Sequence, residues 1–196
     1  RPPNWALSPW AVKTYLLGGK LNNGFEVTPK YIGKERLIEI AVATLATDRA
    51  LLLYGVPGTA KSWVSEHLAA AIAGDSTLMI QGTAGTDESA IRYGWNYARL
   101  LAEGPSEAAL VKSPMLNAMR DGKIARFEEL TRIPSEVQDS LISLLSEKTM
   151  PIAELASAVV APAKQRARAA DRTAVSDATG SRRRRAAHKP VLVVGD

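Results

Sequence analysis

Cysteine is absent from the 196 residues, which excludes a disulfide framework, a cysteine-ligated metal and thiol chemistry, and fits an intracellular compartment. Long apolar runs are missing too. Stretches such as Leu51–Leu53 and 68–73 fall far short of the roughly 20 residues that a membrane-spanning helix needs, so a soluble, cytoplasmic protein without a membrane partner is expected. Histidine occurs only at His67 and His188, and neither has a second ligand at metal spacing. The chain opens Arg1-Pro2-Pro3 without an initiator methionine or a secretory pattern, so a processed start or a fragment boundary is expected.

Positive charge is unevenly placed. The net charge is +5, yet residues 157–196 alone hold seven Arg, two Lys and three Asp, leaving residues 1–156 at about −1. The basic excess therefore belongs to one terminal segment and says little about the body of the chain. That segment, 157–196, is rich in Ala and Arg and carries no sustained helix or strand period before Val191–Val194. It reads as a disordered basic tail or as a non-native, frameshifted end; Arg182–Arg185 could meet nucleic acid or an anionic surface, but charge runs are usually solvated.

Between the ends, periodicity predicts alternating elements. Residues 1–30 read as an irregular lead-in with Trp5, Trp10 and Tyr15 as anchors. Residues 34–48 place Leu37, Ile38, Ala41, Val42 and Leu45 on one helical face. The short apolar run at 50–54 suits a strand buried on both faces, further strands are expected at 78–81 and 123–127, and helices at 61–73, 114–120 and 135–146. This alternation predicts an α/β core over residues 31–156, with a parallel sheet flanked by helices.

The chemistry concentrates in Gly55-Val56-Pro57-Gly58-Thr59-Ala60-Lys61-Ser62, a glycine-rich turn between a predicted strand and a predicted helix. Such a turn aims backbone N–H groups at phosphate oxygens, and the helix N-terminus adds a partial positive charge. Lys61 can reach the β- and γ-phosphates, and the Ser62 hydroxyl can ligate Mg2+, so ATP with Mg2+ is the expected ligand pair. A bare connecting turn is the competing interpretation. At the end of the third strand stand Glu128 and Glu129. Glu128 suits the metal and Glu129 the attacking water, provided that the chain bends there, because adjacent strand residues point to opposite faces.

The loop at 55–62, the run Phe127-Glu128-Glu129-Leu130-Thr131-Arg132 and residues 135–145 together resemble AAA+ ATPases of the MoxR and dynein-related group, over about residues 30–155. The resemblance implies a P-loop NTPase fold and ATP hydrolysis with Lys61 and Glu129 as catalytic residues. It also implies a ring of copies in intact relatives and remodelling of a protein partner. In that family an alanine at position 60 is ordinary. Tyr31-Ile32-Gly33 resembles the segment that contacts adenine, and residues 82–101, with Arg92, Tyr93, Trp95 and Tyr97, resemble an insertion facing partners, although such aromatics often fill a core. The usual first acid is aspartate, one methylene shorter than Glu128. No sensor strand, trans-acting arginine or helical lid is recognisable after residue 155, which suggests truncation. Three other functions stay open: a nucleotide-dependent scaffold without turnover, a small-molecule P-loop kinase, and nucleic-acid binding through the tail.

Overall fold

A computed structural model describes residues 2–21, 23–47, 49–155, 157–160 and 192–194, the last two segments as backbone alone. The lead-in is more ordered than its composition suggests. Pro9–Leu17 forms helix α1, capped by the Ser8 side chain, which accepts from Ala11 N, with proline at the first helical position. That pairing is a helix-start signal, and Trp5, Val12 and Leu16 are buried beside it. The short strands β1 (Gly19–Lys20) and β2 (Glu26–Val27) then pair antiparallel.

Helix α2 (Glu35–Leu45) buries Ile38, Ala41, Val42 and Leu45 of the face predicted from periodicity, whereas Leu37, placed on that face too, is exposed. Strand β3 (Leu51–Leu53) leads into α3 (Lys61–Ala73), and β4 (Met79–Gln81) follows. Next come α4 (Glu88–Ile91), β5 (Tyr93–Trp95), α5 (Tyr97–Glu103) and β6 (Leu110–Lys112), with β5 and β6 antiparallel. Helix α6 (Pro114–Asp121), strand β7 (Arg126–Glu128), a short 3-10 turn (Leu130–Arg132) and α7 (Ser135–Glu147) complete the predicted alternation. Strands β8 (Thr149–Ile152) and β9 (Ser157–Val160) form an antiparallel pair.

The principal sheet has the order β3-β10-β7-β4, all parallel, where β10 is Leu192–Val194. Two expectations change here. The boundary drawn at 156 falls inside the β8–β9 pair, and residues 192–194, read as part of the tail, supply the strand between β3 and β7. The rest of the expected disordered or non-native tail, 161–191 and 195–196, lies outside the described residues, as do His188 and Arg182–Arg185.

Alternation along β7 divides two cores. Ile124 joins Leu51, Val64, Leu68 and Ile72 in the cluster built on α1, α2 and α3. Ala125 and Phe127 join Met115, Leu116, Val137 and Leu141 on the α6 and α7 side. Arg126 and Glu128 therefore face α3 in the same register as Ile124.

The far end of α3 is tied to the approach to β7 by one carboxylate. Asp75 accepts from Lys123 Nζ at 2.8 Å, from Thr77 N at 2.8 Å and from Thr77 Oγ1 at 2.7 Å. The Lys123 ammonium, helped by Thr77, holds the Asp75 carboxyl down at about 2. A depressed folded-state pKa contributes stability above the ordinary carboxylate value, and the contribution is lost as pH falls toward 2. Because both side chains are partly exposed, Asp75→Asn should cost about 1 kcal/mol at pH 7. Urea melts should show that difference narrowing at pH 3.

Candidate functional site

The phosphate-binding loop has the backbone that its sequence requires. Gly58 has φ +82°, where a side chain would be strained. Ala60 sits in the left-handed region at φ 58°, ψ 27° as the N-cap of α3. A glycine would accept that conformation freely, which explains why the usual pattern places one before the lysine and why alanine here is tolerated at some cost. No side chain caps α3, as none caps α2 or α7. The first turn of α3 therefore presents its backbone N–H groups as an anion cradle.

Lys61 Nζ donates to Gly55 O at 2.7 Å and to Val56 O at 3.2 Å, lying across the loop. Thr59 Oγ1 donates to Val56 O at 2.8 Å and tightens the same turn. Tyr31 and Gly33 line a cavity of about 730 Å³ together with Gly55, Thr59 and Lys61. Ile32 is 92% exposed and is not among the residues lining that cavity. Two of the three residues of the segment that resembles an adenine contact thus border the same cavity as the glycine-rich loop.

Opposite the loop, Ser62 Oγ donates to Glu128 Oε2 at 2.5 Å. Glu128 is 7% exposed, and its other oxygen, Oε1, lies 3.0 Å from Ser65 Oγ and 3.3 Å from Arg126 Nη1. The predicted metal residues Ser62 and Glu128 therefore meet across 66 positions of sequence. Their donors are all hard oxygens, as Mg2+ prefers, and the pair stands at the start of the phosphate cradle, so the residues fit the ion.

The bend required of the acidic pair is present. Glu129 has φ 54°, ψ 45°, immediately after β7, so it leaves the strand's alternation. Gly82 makes room for it: Gly82 N donates to Glu128 O at 2.8 Å, and a methyl group on Gly82 would collide with the Glu129 carbonyl oxygen. A left-handed non-glycine residue is a strained one, and such strain gathers at functional sites.

Arg126 was missed from sequence. An arginine two residues before Glu128, and so on the same face of an expected strand, is the signal that could have found it. Its Nη1 reaches Ser65 Oγ at 3.1 Å and Ser62 O at 3.4 Å as well as Glu128.

The other candidates are structural. His67 Nδ1 is 2.9 Å from Tyr15 Oη and its ring packs edge-on to Trp63, joining α1 to α3. Burial pushes its imidazole below the ordinary range. Tyr93 Oη donates to Glu154 Oε2 at 3.0 Å and Trp95 Nε1 to Glu154 Oε1 at 3.4 Å, and both rings pack on the core. Arg92 pairs with Glu88 and donates to Pro151 O. Tyr97, by contrast, is 73% exposed on α5, which buries no residue. No cluster of three metal-ligating side chains, and no helix long and apolar enough to cross a membrane, occurs among the described residues.

Residues 50–193 match the AAA domain family, dynein-related subfamily. The chain belongs to that family. Over 154 residues it is 47% identical to the Uncharacterized protein YehL of Escherichia coli (strain K12), an alignment covering 79% of this chain and 42% of YehL. The chain thus spans less than half of that relative's length. The family match runs from β3 through residue 193, consistent with β10 completing the sheet of a P-loop NTPase.

The left-handed Ala60 generates a prediction. Ala60→Gly should leave the fold equally stable or stabilise it by up to about 1 kcal/mol, strain relief being offset by the added freedom of the unfolded chain. Thermal melts showing marked destabilisation would contradict the geometry at position 60.

Proposed function

We propose that the chain binds ATP and hydrolyses it with Mg2+, as the nucleotide-binding core of a MoxR-like AAA+ ATPase. The observation that carries this reading is the Ser62 hydroxyl held on Glu128 at 2.5 Å, at the mouth of an uncapped helix whose preceding loop is spanned by Lys61. Backbone N–H groups of the loop and of the first turn of α3 would hold the phosphates. Lys61 would leave the carbonyls of Gly55 and Val56 for the β- and γ-phosphates, and Tyr31 and Gly33 would border the base. Ser62 would hold the metal, with Glu128 orienting it. Magnesium supplies charge neutralisation on the transferring phosphoryl group. Glu129, whose left-handed backbone takes it out of the strand's alternation, is the general base that positions water.

Intact relatives would work as rings, most often hexamers, that remodel or activate a protein partner in the cytoplasm. Family membership supports assembly of this kind, and the exposed Tyr97 on α5 lies in the segment expected to face a partner. The basic segment on which a nucleic-acid-binding function would rest lies for the most part outside the described residues. A scaffold that binds ATP without turnover has an observation in its favour: Glu128 stands where aspartate is usual and is already engaged by Arg126.

Calorimetric titration with ATP and Mg2+, together with phosphate release, separates these outcomes. Lys61→Ala should weaken ATP binding at least about tenfold, as expected for loss of a charge-assisted contact. Glu129→Gln should bind ATP like the unaltered chain and lower turnover by at least about a hundredfold. Binding without phosphate release in the unaltered chain would favour the scaffold, and no ATP binding would sink both.

A further inference from the structure

Arg126 is difficult to explain by packing. It is 7% exposed in the interior strand β7, and arginine is almost never buried unless paired. Pairing is present, but removing a charge pair from water costs more than burying a hydrocarbon of similar volume, and replacing such a pair by apolar side chains is often neutral or stabilising. The burial here is also incompletely compensated, since Arg126 Nε is buried without a hydrogen-bond partner among the described residues. A leucine or methionine would serve the fold at lower cost. The guanidinium is aimed at one place: Nη1 lies 3.3 Å from Glu128 Oε1, 3.1 Å from Ser65 Oγ and 3.4 Å from Ser62 O.

We propose that Arg126 is a resident counter-cation of Glu128 that makes entry of a divalent metal at Ser62 and Glu128 conditional on nucleotide. The assignment rests on the nucleotide-site reading above. Ser62 holds the carboxylate at Oε2, and the Ser65 hydroxyl, whose one proton is shared between Ser62 O at 2.8 Å and Glu128 Oε1 at 3.0 Å, lies at the other oxygen, so Glu128 stays anchored by Ser62 when Arg126 is replaced and the charge is what the replacement removes. With the pair intact, the buried acid is neutralised before nucleotide arrives, and a free divalent cation meets little net attraction and one like charge. Phosphates bring the negative charge that restores the attraction, so metal enters with nucleotide. The arginine acts through Glu128 and is therefore a positioning residue.

Mn2+ is a suitable probe, because electron paramagnetic resonance reads its free concentration directly, and the full chain can be titrated without nucleotide. Arg126→Met and Arg126→Gln, which differ in shape but both remove the charge, should each bind one Mn2+ at least about tenfold tighter than the unaltered chain, a modest fraction of the Coulomb effect of a like charge only a few ångströms away. Arg126→Lys keeps the charge and should not gain affinity, and adding Glu128→Gln to Arg126→Met should remove the gain. A folded neutral variant whose Mn2+ affinity stays within about twofold of the unaltered chain overturns the assignment, as does Arg126→Lys gaining as much as Arg126→Met. With ADP present the unaltered chain should take up Mn2+; ADP bound without Mn2+ uptake also overturns it. Failure of ADP to bind, checked beside Lys61→Ala, instead sinks the nucleotide-site reading, so the two failures are distinguishable.

Discussion

One carboxylate holds the phosphate loop to the sheet. Glu128 receives Ser62 and Ser65 from the first turns of α3 and faces Arg126 of its own strand. Through it, the helix that would cradle phosphate is fixed against the strand that carries the acids. A hydrogen bond to an ionised acceptor in a buried setting is among the stronger ones available to a protein. Ser65 is wholly buried; its hydroxyl lies 3.0 Å from Glu128 Oε1 and 2.8 Å from Ser62 O and accepts from Arg126 Nη1, so carboxylate, helix turn and guanidinium share one buried network. The same contact therefore supports the fold and sets the geometry of the site.

A second constraint lies in the sheet. Strands β3 and β7 are not neighbours; Leu192–Val194 lies between them and pairs with both. Without that strand, two interior rows of backbone N–H and C=O groups would lack partners, which a buried sheet does not tolerate. The spacing between phosphate loop and acidic pair thus depends on three residues near the end of the chain. The family match extending to residue 193 accords with that placement.

Much of the fold was legible because local periodicity and packing agree. The helix at Lys61–Ala73 falls where predicted, and α2, α6 and α7 lie within a few residues of expectation. The α1 helix was missed although Ser8 and Pro9 form a cap and first-turn pair, because Trp, Gly and Pro nearby dominate the composition. Strand β10 was invisible for a different reason: three apolar residues after a long Ala- and Arg-rich stretch carry no period, and only a slot in the sheet gives them a partner. At the candidate site, Gly55 to Ser62, Glu128 and Glu129 could be singled out from sequence, since each residue type has a chemical reason to stand where it does. Ile32 was drawn in by adjacency to Tyr31 and Gly33, but neighbours in an extended segment point in different directions.

The sequence by itself determined the strand, loop and helix of the phosphate cradle, the choice of Lys61 and Ser62, and the acidic pair, because these depend on neighbours within a few positions. Tertiary structure decided which side chains meet: Ser62 with Glu128, Arg126 with Ser65, Gly82 beneath Glu129. Those contacts join residues separated by roughly fifty to sixty-five positions. Only the stacking of β10, β7 and β4 in one parallel sheet, with α3 laid across it, brings them within hydrogen-bonding distance.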